Sequence, residues 1–497
     1  MRRLDRSTLA SLLPDVARPA YDLDGTTTGV VHLGVGAFHR AHQAVYFDER
    51  LAAGERDWAI CGVSLQSTAT RDALAPQDGL YTLSVRGPER EDLRIIGSLR
   101  EWLVAPENTG ALLDRLADPK VRIVSLTITE KGYCHDPATC DLAVGHPAIQ
   151  RDLATASAPR SAPGVLVEAL ARRRAAGVAP FTVLSCDNLP SNGETTRRIA
   201  TQFAALREAD LGRWIADRVA FPSTMVDRIV PATTDDDRAR IAARLTATDA
   251  WPVITEPFRQ WVVEDHFSLG RPRLEDSGVT LVQDVAPFEL AKLRLLNGTH
   301  SALAYLGYLA SYETLADAAA NPAFARFARG LMDEESGPTL RGLGDLDAYK
   351  TQLLQRFQNP GLRHRTWQIA MDGSQKLPQR LLGTLQERLA AGAPIRRLAL
   401  GVAAWMRYVT GVDEQGRAID VRDPLKAKLA VIAESADGDP KRLAKGLMDL
   451  RQVFPAELAA DPRFREAVVA ALSVLRRDGA RGRVVGFVGW FSGGGGS

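Results

Sequence analysis

Gly29-Val-Val-His-Leu33-Gly34-Val-Gly36-Ala-Phe38-His-Arg40-Ala-His42 is a short β-rich run that stops at two glycines and turns into a helical pattern. A strand covered on both faces reads this way, and glycines placed after it let the backbone approach a pyrophosphate at the next helix's N-terminus. The third glycine of the full motif is missing, and Gly34, Gly36 and Phe38 are the candidates for contact with a dinucleotide. His39, Arg40 and His42 are either further phosphate contacts or the solvated start of a helix. The second β-rich run ends Val63-Ser-Leu65-Gln66-Ser-Thr68, with no carboxylate before Asp72 to take the ribose hydroxyls of NAD. NAD is the expected cofactor, and NADP is left open.

The same rhythm continues outward from this segment. β-rich runs at 29–33, 58–65, 121–129, 181–186, 219–221 and 280–282 alternate with longer helical patterns. That alternation predicts βαβ units in a largely parallel sheet, an α/β fold whose N-terminal domain is a Rossmann-like doubly wound sheet. Turn-rich stretches at 157–164 and 232–237 are expected to be unpacked loops. Past residue 287 the β-rich runs give way to helix-periodic segments at 302–319, 398–409 and 467–476, which predict a mostly α-helical C-terminal domain. The expected division is 1–285 for dinucleotide binding and 286–492 for substrate and catalysis, with Gly493-Gly-Gly-Gly-Ser497 as a flexible linker, 493–497.

With 62 basic and 60 acidic residues among 497, the net charge of +2 supplies no global field for nucleic acid or an anionic membrane. No basic stripe with interleaved aromatics is evident, so a nucleic-acid partner is not expected. No run approaches the roughly 20 apolar residues of a membrane span, and the charged first residues do not read as a signal peptide. A cytoplasmic monomer or weak oligomer acting on a small molecule is expected. Cys61, Cys134, Cys140 and Cys186 form no CxxC pair, which argues against a zinc ribbon or disulfide scaffold and for buried, reduced thiols; no metal is expected.

Chemistry concentrates in Lys292-Leu-Arg-Leu-Leu-Asn297-Gly-Thr-His300, an amine, an amide and an imidazole within one apolar stretch. On an α-helix, at about 100° per residue, Asn297 lies roughly 140° and His300 roughly 80° around the axis from Lys292, on one broad face. A lysine desolvated there can serve as general acid or base. The bland reading is a surface lysine, a helix-terminating Asn-Gly and a core histidine. Four strings fall at later strand ends: 127–133, Ser185-Cys-Asp-Asn188 through Gly193, Ser223 through Asp227-Arg228, and 256–261. Asn188 is best placed to donate to an oxygen gaining negative charge. Asp187, Asn188 and Asn192 read otherwise as turn formers, and Asp227-Arg228 as an ion pair.

These strings together resemble the zinc-independent, polyol-specific long-chain dehydrogenases, the family of mannitol 2-dehydrogenase and fructuronate reductase. The matching segments are 32–43, Thr129-Glu-Lys-Gly-Tyr133, Ser185 through Asn188, 224–231, and Lys292 through His300. The resemblance implies that Lys292 is the acid/base, that Asn188 and Asn297 hold the reacting oxygen, and that His300 orients the substrate. It further implies that Asp227 lines the nicotinamide side and that Glu289 gates proton exchange with solvent. Within the family, segment 362–380 is more similar to the fructuronate reductases (D-mannonate oxidoreductases) than to the mannitol 2-dehydrogenases, and Gln368 stands where the latter are expected to carry arginine. A hexuronate carries a carboxylate that a hexitol lacks, and Arg363, His364, Arg365 and Lys376 are the candidate cations for it. The implied activity is metal-free, NAD-dependent interconversion of D-fructuronate and D-mannonate. The alternatives are a hexitol dehydrogenase acting on fructose and mannitol, and a catalytically silent dinucleotide sensor.

Overall fold

The computed structural model describes residues 1–136 and 139–489, so the expected linker at 493–497 lies outside the described residues. The chain divides into two compact units, the first ending at Ala286 and the second beginning at Pro287.

The first unit is built on a five-stranded parallel sheet. Its strands are β1 (Thr28–Leu33), β2 (Ala59–Ser64), β5 (Leu99–Val104), β6 (Ile123–Leu126) and β7 (Thr182–Ser185), in the order β5-β2-β1-β6-β7. The chain builds outward from β1 in one direction and then returns to start again at β6. The switch point therefore lies between β1 and β6, where Leu33 pairs with Leu126. Alternation along β1 sends Val31 and Leu33 to one face, packed with Leu112, Leu170 and Phe203, and Val30 to the other, packed with Phe47 and Trp261. Each fully buried side chain of this kind stabilises the fold by about 1.5–3 kcal/mol.

Two three-stranded sheets extend this unit. One joins β3 (Tyr81–Arg86) to β4 (Glu91–Ile96) and β9 (Val253–Thr255). The other joins β8 (Thr224–Asp227) to β10 (Gln260–Glu264) and β11 (Thr280–Val282). The expected strand at 219–221 does not form. Ala220 accepts one hydrogen bond from Val183, and Pro222, which has no N–H, ends the approach before pairing begins at Thr224. The two expected loops are also partly helix starts. Ser161 caps α4 (Ala162–Ala175), whose first-turn Pro163 is buried, and Thr234 forms a capping box with Asp237 at Asp235–Leu245.

In the second unit the described residues form helices and only isolated bridges. The expected helix at 302–319 is two helices, Thr299–Leu309 and Leu315–Ala320, broken where Ser311 adopts φ +63°. Its core gathers Leu303, Tyr305, Phe324, Leu381 and Trp405. No helix among the described residues is long and apolar enough to cross a membrane. All four cysteines are free, with Cys140 half-exposed and the other three buried.

Candidate functional site

In the first unit the site candidates lie at strand ends: the glycine turn after β1, at the switch point where open α/β sheets bind ligands, Asn188 beyond β7, and Asp227 at the end of β8 in a separate sheet. Gly34 adopts φ +94°, and a Cβ there would overlap the carbonyl oxygen of Thr127, so only glycine fits between the ends of β1 and β6. Gly36 is different: it is exposed, and the atom nearest to an added Cβ is 4.0 Å away. It caps α1 (Ala37–Ala41), leaving first-turn amides facing the space above the sheet. Phe38 is half-buried and stacks on His42 at 5.0 Å.

His39, Arg40 and His42 neither project to that space nor lie in solvent; all three are buried. His39 stacks on His32 with ring centroids 3.4 Å apart, Arg40 donates to the carbonyl of Trp251, and His42 Nε2 bonds the carbonyl of Gln260 at 2.8 Å. They face inward because the chain kinks at His42 between α1 and α2 (Gln43–Ala52), turning these polar groups toward the neighbouring strands. His32 bonds Ser125 Oγ and Thr127 Oγ1, each at 2.8 Å, and burial lowers its pKa to about 3. It is a neutral buttress beneath the glycine turn.

Asp187 and Asn192 do more than form a turn. Asp187 accepts the backbone N–H groups of Ile128 and Thr129 at 2.9 Å and the Tyr133 hydroxyl at 2.8 Å. Thr129 is held at φ +63°, a conformation a β-branched residue rarely adopts. Asn192 donates to the carbonyls of Asp187 and Thr224 and accepts from Thr224 N–H, lacing the end of β7 to the start of β8. Exposed Asn188 and buried Asp227 are thus carried at two fixed strand ends. Arg228 donates to the carbonyls of Ala41 and Glu256.

In the second unit Glu289 lies on α6 (Ala286–Ala291), one turn before Lys292. The stretch Lys292–Gly298 is a π-helix, so the α-helical angles expected for it do not apply. With i→i+5 bonding, Lys292 and Asn297, five residues apart, come nearer to alignment along the axis than an α-helix allows. Both are half-buried. Gly298 does not end the helix but continues it into α7 (Thr299–Leu309), where His300 is buried. His300 stacks on Phe357 at 5.6 Å and meets His364 edge-on at 5.2 Å. Its Nε2 is buried and has no hydrogen-bond partner among the described residues.

Burial holds the His300 pKa well below its ordinary value, and His364, Arg380, Arg356 and Lys376 push it the same way. His364 is itself lowered to about 4 by burial and by Lys376. Of the four cations expected from sequence, His364 meets His300, and Lys376 acts on both through its charge while donating to the carbonyls of Met371 and Ile369. Arg365 is an exposed partner of Glu313, and Arg363 is exposed at φ +46°. Arg356 and Arg380 were not among the sequence candidates; the i, i+4 spacing of Lys376 and Arg380 was the available signal. Among the described residues no three His, Cys, Asp or Glu side chains converge as a metal site requires.

A parallel sheet with a glycine turn at its switch point, joined in one chain to a helical unit carrying lysine, amide and imidazole, defines a dinucleotide-dependent oxidoreductase. The mannitol dehydrogenase Rossmann-domain model matches residues 28–276, and the mannitol dehydrogenase C-terminal-domain model matches residues 284–476. The chain belongs to the mannitol dehydrogenase family and is an oxidoreductase of that family. It is 49% identical to D-mannonate oxidoreductase of Escherichia coli K12 over 474 residues, covering 94% of this chain and 97% of that protein. It is 41% identical to mannitol 2-dehydrogenase of Phaeosphaeria nodorum, covering 97% and 86%. Among solved structures, the Pseudomonas fluorescens mannitol 2-dehydrogenase ternary complex with NAD and D-mannitol is 41% identical, with a TM-score of 0.88 over 98% of this chain and 99% of that one.

Proposed function

We propose that this chain interconverts D-fructuronate and D-mannonate with NAD(H), without a metal, using Lys292 as the acid/base. One observation carries the choice of a charged substrate: beside the neutral His364 that meets His300 edge-on, the charges of Arg380, Arg356 and Lys376 all act on His300, a setting suited to a carboxylate. The 49% identity to a D-mannonate oxidoreductase supports the same reading. A dinucleotide fits the first unit because Gly36 leaves open space beside the first-turn amides of α1, while Gly34 keeps the turn tight. Gly34, Gly36, Phe38 and Asp227 would hold it.

When bound, the nicotinamide supplies or takes up the hydride. In reduction, the amides of Asn188 and Asn297 donate to the ketone oxygen as it gains charge, and the Lys292 ammonium gives it a proton. His300, kept neutral by burial, offers its unbonded Nε2 to a substrate hydroxyl. Glu289, one turn away, relays the replacement proton from solvent to Lys292. Oxidation reverses these transfers.

The second reading is a hexitol 2-dehydrogenase acting on fructose and mannitol, favoured by the likeness to a mannitol-bound structure. Initial rates with D-fructuronate and D-fructose, each with NADH and NADPH, separate the two. A strong preference for fructuronate with NADH upholds the proposal; equal or faster reduction of fructose replaces it with the hexitol reading.

A further inference from the structure

Arg380 packs against the segment that carries Asn297 and His300. It lies on another π-helix, Pro378–Leu382, which packs against the π-helix carrying Lys292 and Asn297. Its backbone carbonyl comes so close to Gly298 that an added Cβ there would be 2.7 Å away. Its side chain reaches back to the residue after His300, Nη1 donating to Ser301 Oγ at 3.0 Å. The backbone thus abuts Gly298 within the Lys292–His300 segment, the guanidinium is tied to Ser301 just after it, and the side chain remains half-buried. The other cations are placed differently. Lys376 donates to the carbonyls of Met371 and Ile369 and closes its own loop, Arg356 is buried, and Arg363 and Arg365 lie at the exposed edge.

We infer that Arg380 is the specificity-determining residue of the substrate site, its planar guanidinium receiving the carboxylate of a hexuronate as a fork and so discriminating it from a neutral hexulose. The inference rests on the uronate reading of the site. Arginine suits this task because its delocalised charge is weakly hydrated and its donors match carboxylate geometry two at a time, where a lysine offers a point charge. The carboxylate of D-fructuronate is three hydroxylated carbons from the ketone, so its anchor belongs beside the acid/base group and not on it. Ser301 fixes the guanidinium plane before substrate arrives, which lowers the ordering entropy lost on binding.

The test compares wild type, Arg380→Gln, Arg380→Lys and Arg365→Gln on D-fructuronate and D-fructose, with Tm and NADH affinity measured for each protein. The inference expects Arg380→Gln to raise KM for fructuronate about ten- to hundredfold. The fructuronate-to-fructose ratio of kcat/KM should collapse with it, Arg380→Lys falling in between. If wild type prefers fructose, the uronate reading itself fails. If wild type prefers fructuronate and Arg380→Gln keeps that preference, or loses both substrates equally with Tm and NADH affinity intact, Arg380 is not the anchor. Collapse of the ratio in Arg365→Gln instead would also overturn it. Should Arg380→Gln fail to fold, Arg380→Lys decides, since retention of the full ratio there excludes a bidentate role.

Discussion

Gly298 and the carbonyl oxygen of Arg380 touch across two π-helices, leaving no space for even a methyl group on residue 298. The Asn-Gly pair, which reads in sequence as a helix stop, is in the fold a point of close helix packing. Gly298→Ala should therefore displace segment 378–382 and destabilise the protein by about 1–3 kcal/mol, the usual range for overpacking. It should also raise KM more than it lowers kcat, because Arg380 moves while Lys292 stays. Thermal melting and steady-state kinetics read both effects, and an unchanged Tm would contradict the packing.

Lys292→Ala should lower kcat by about 10²–10⁴-fold, the span of positioned acid/base catalysis, with NADH affinity nearly intact. Fluorescence titration of the variant supplies the control. Full wild-type activity after exhaustive chelation is expected alongside; a loss restored by zinc would remove the metal-free proposal.

The two glycines of the turn should behave differently. Gly34→Ala forces a side chain into φ +94° and onto the Thr127 carbonyl, so the fold should lose about 1–3 kcal/mol or more. Gly36→Ala meets nothing nearer than 4.0 Å, so stability should stay within about 0.5 kcal/mol while dinucleotide affinity falls. If Gly36→Ala binds NADH as wild type does, the turn is not the pyrophosphate site.

Asp187→Asn leaves the Ile128 and Thr129 amides and the Tyr133 hydroxyl competing for one neutral amide oxygen. A loss of about 1.5–3 kcal/mol is expected, and kcat should fall with it because Asn188 is the next residue along the chain. A melting curve matching wild type would show that Thr129 holds its backbone without the carboxylate.

Stability should decline as pH falls below about 6.5. Burial lowers the pKa of His32 to about 3, of His364 to about 4, and of His39 and His300 well below the ordinary 6.5. Between 6.5 and those values the unfolded chain binds protons that the folded chain refuses. Each refused proton removes about 1.4 kcal/mol per pH unit. Buried carboxyls at Asp187 and Glu335, raised by burial, act in the opposite sense within the acid range. Urea midpoints at pH 7, 6 and 5 should fall in that order, and His32→Asn should lessen the slope. A flat profile would count against neutral buried imidazoles.

The sequence by itself determined the class of architecture and singled out the side chains proposed for the chemistry, because both are written in local patterns. Two-sided apolar runs require a covered sheet, the glycine turn marks its first crossover, and Lys292, Asn297 and His300 declare themselves by residue type. Only the tertiary structure decided which of the candidate polar residues turn inward, hold loops or stay at the surface. His39, Arg40 and His42 turned inward, Asp187 and Asn192 proved to hold loops, and Arg363 and Arg365 were left at the surface while Arg380 was tied to Ser301, the residue after His300. Those outcomes depend on a kink at His42, a missing Cβ at Gly298 and two π-helical turns. Each is fixed by packing between segments distant in sequence, where local propensity differs by less energy than the contacts that override it.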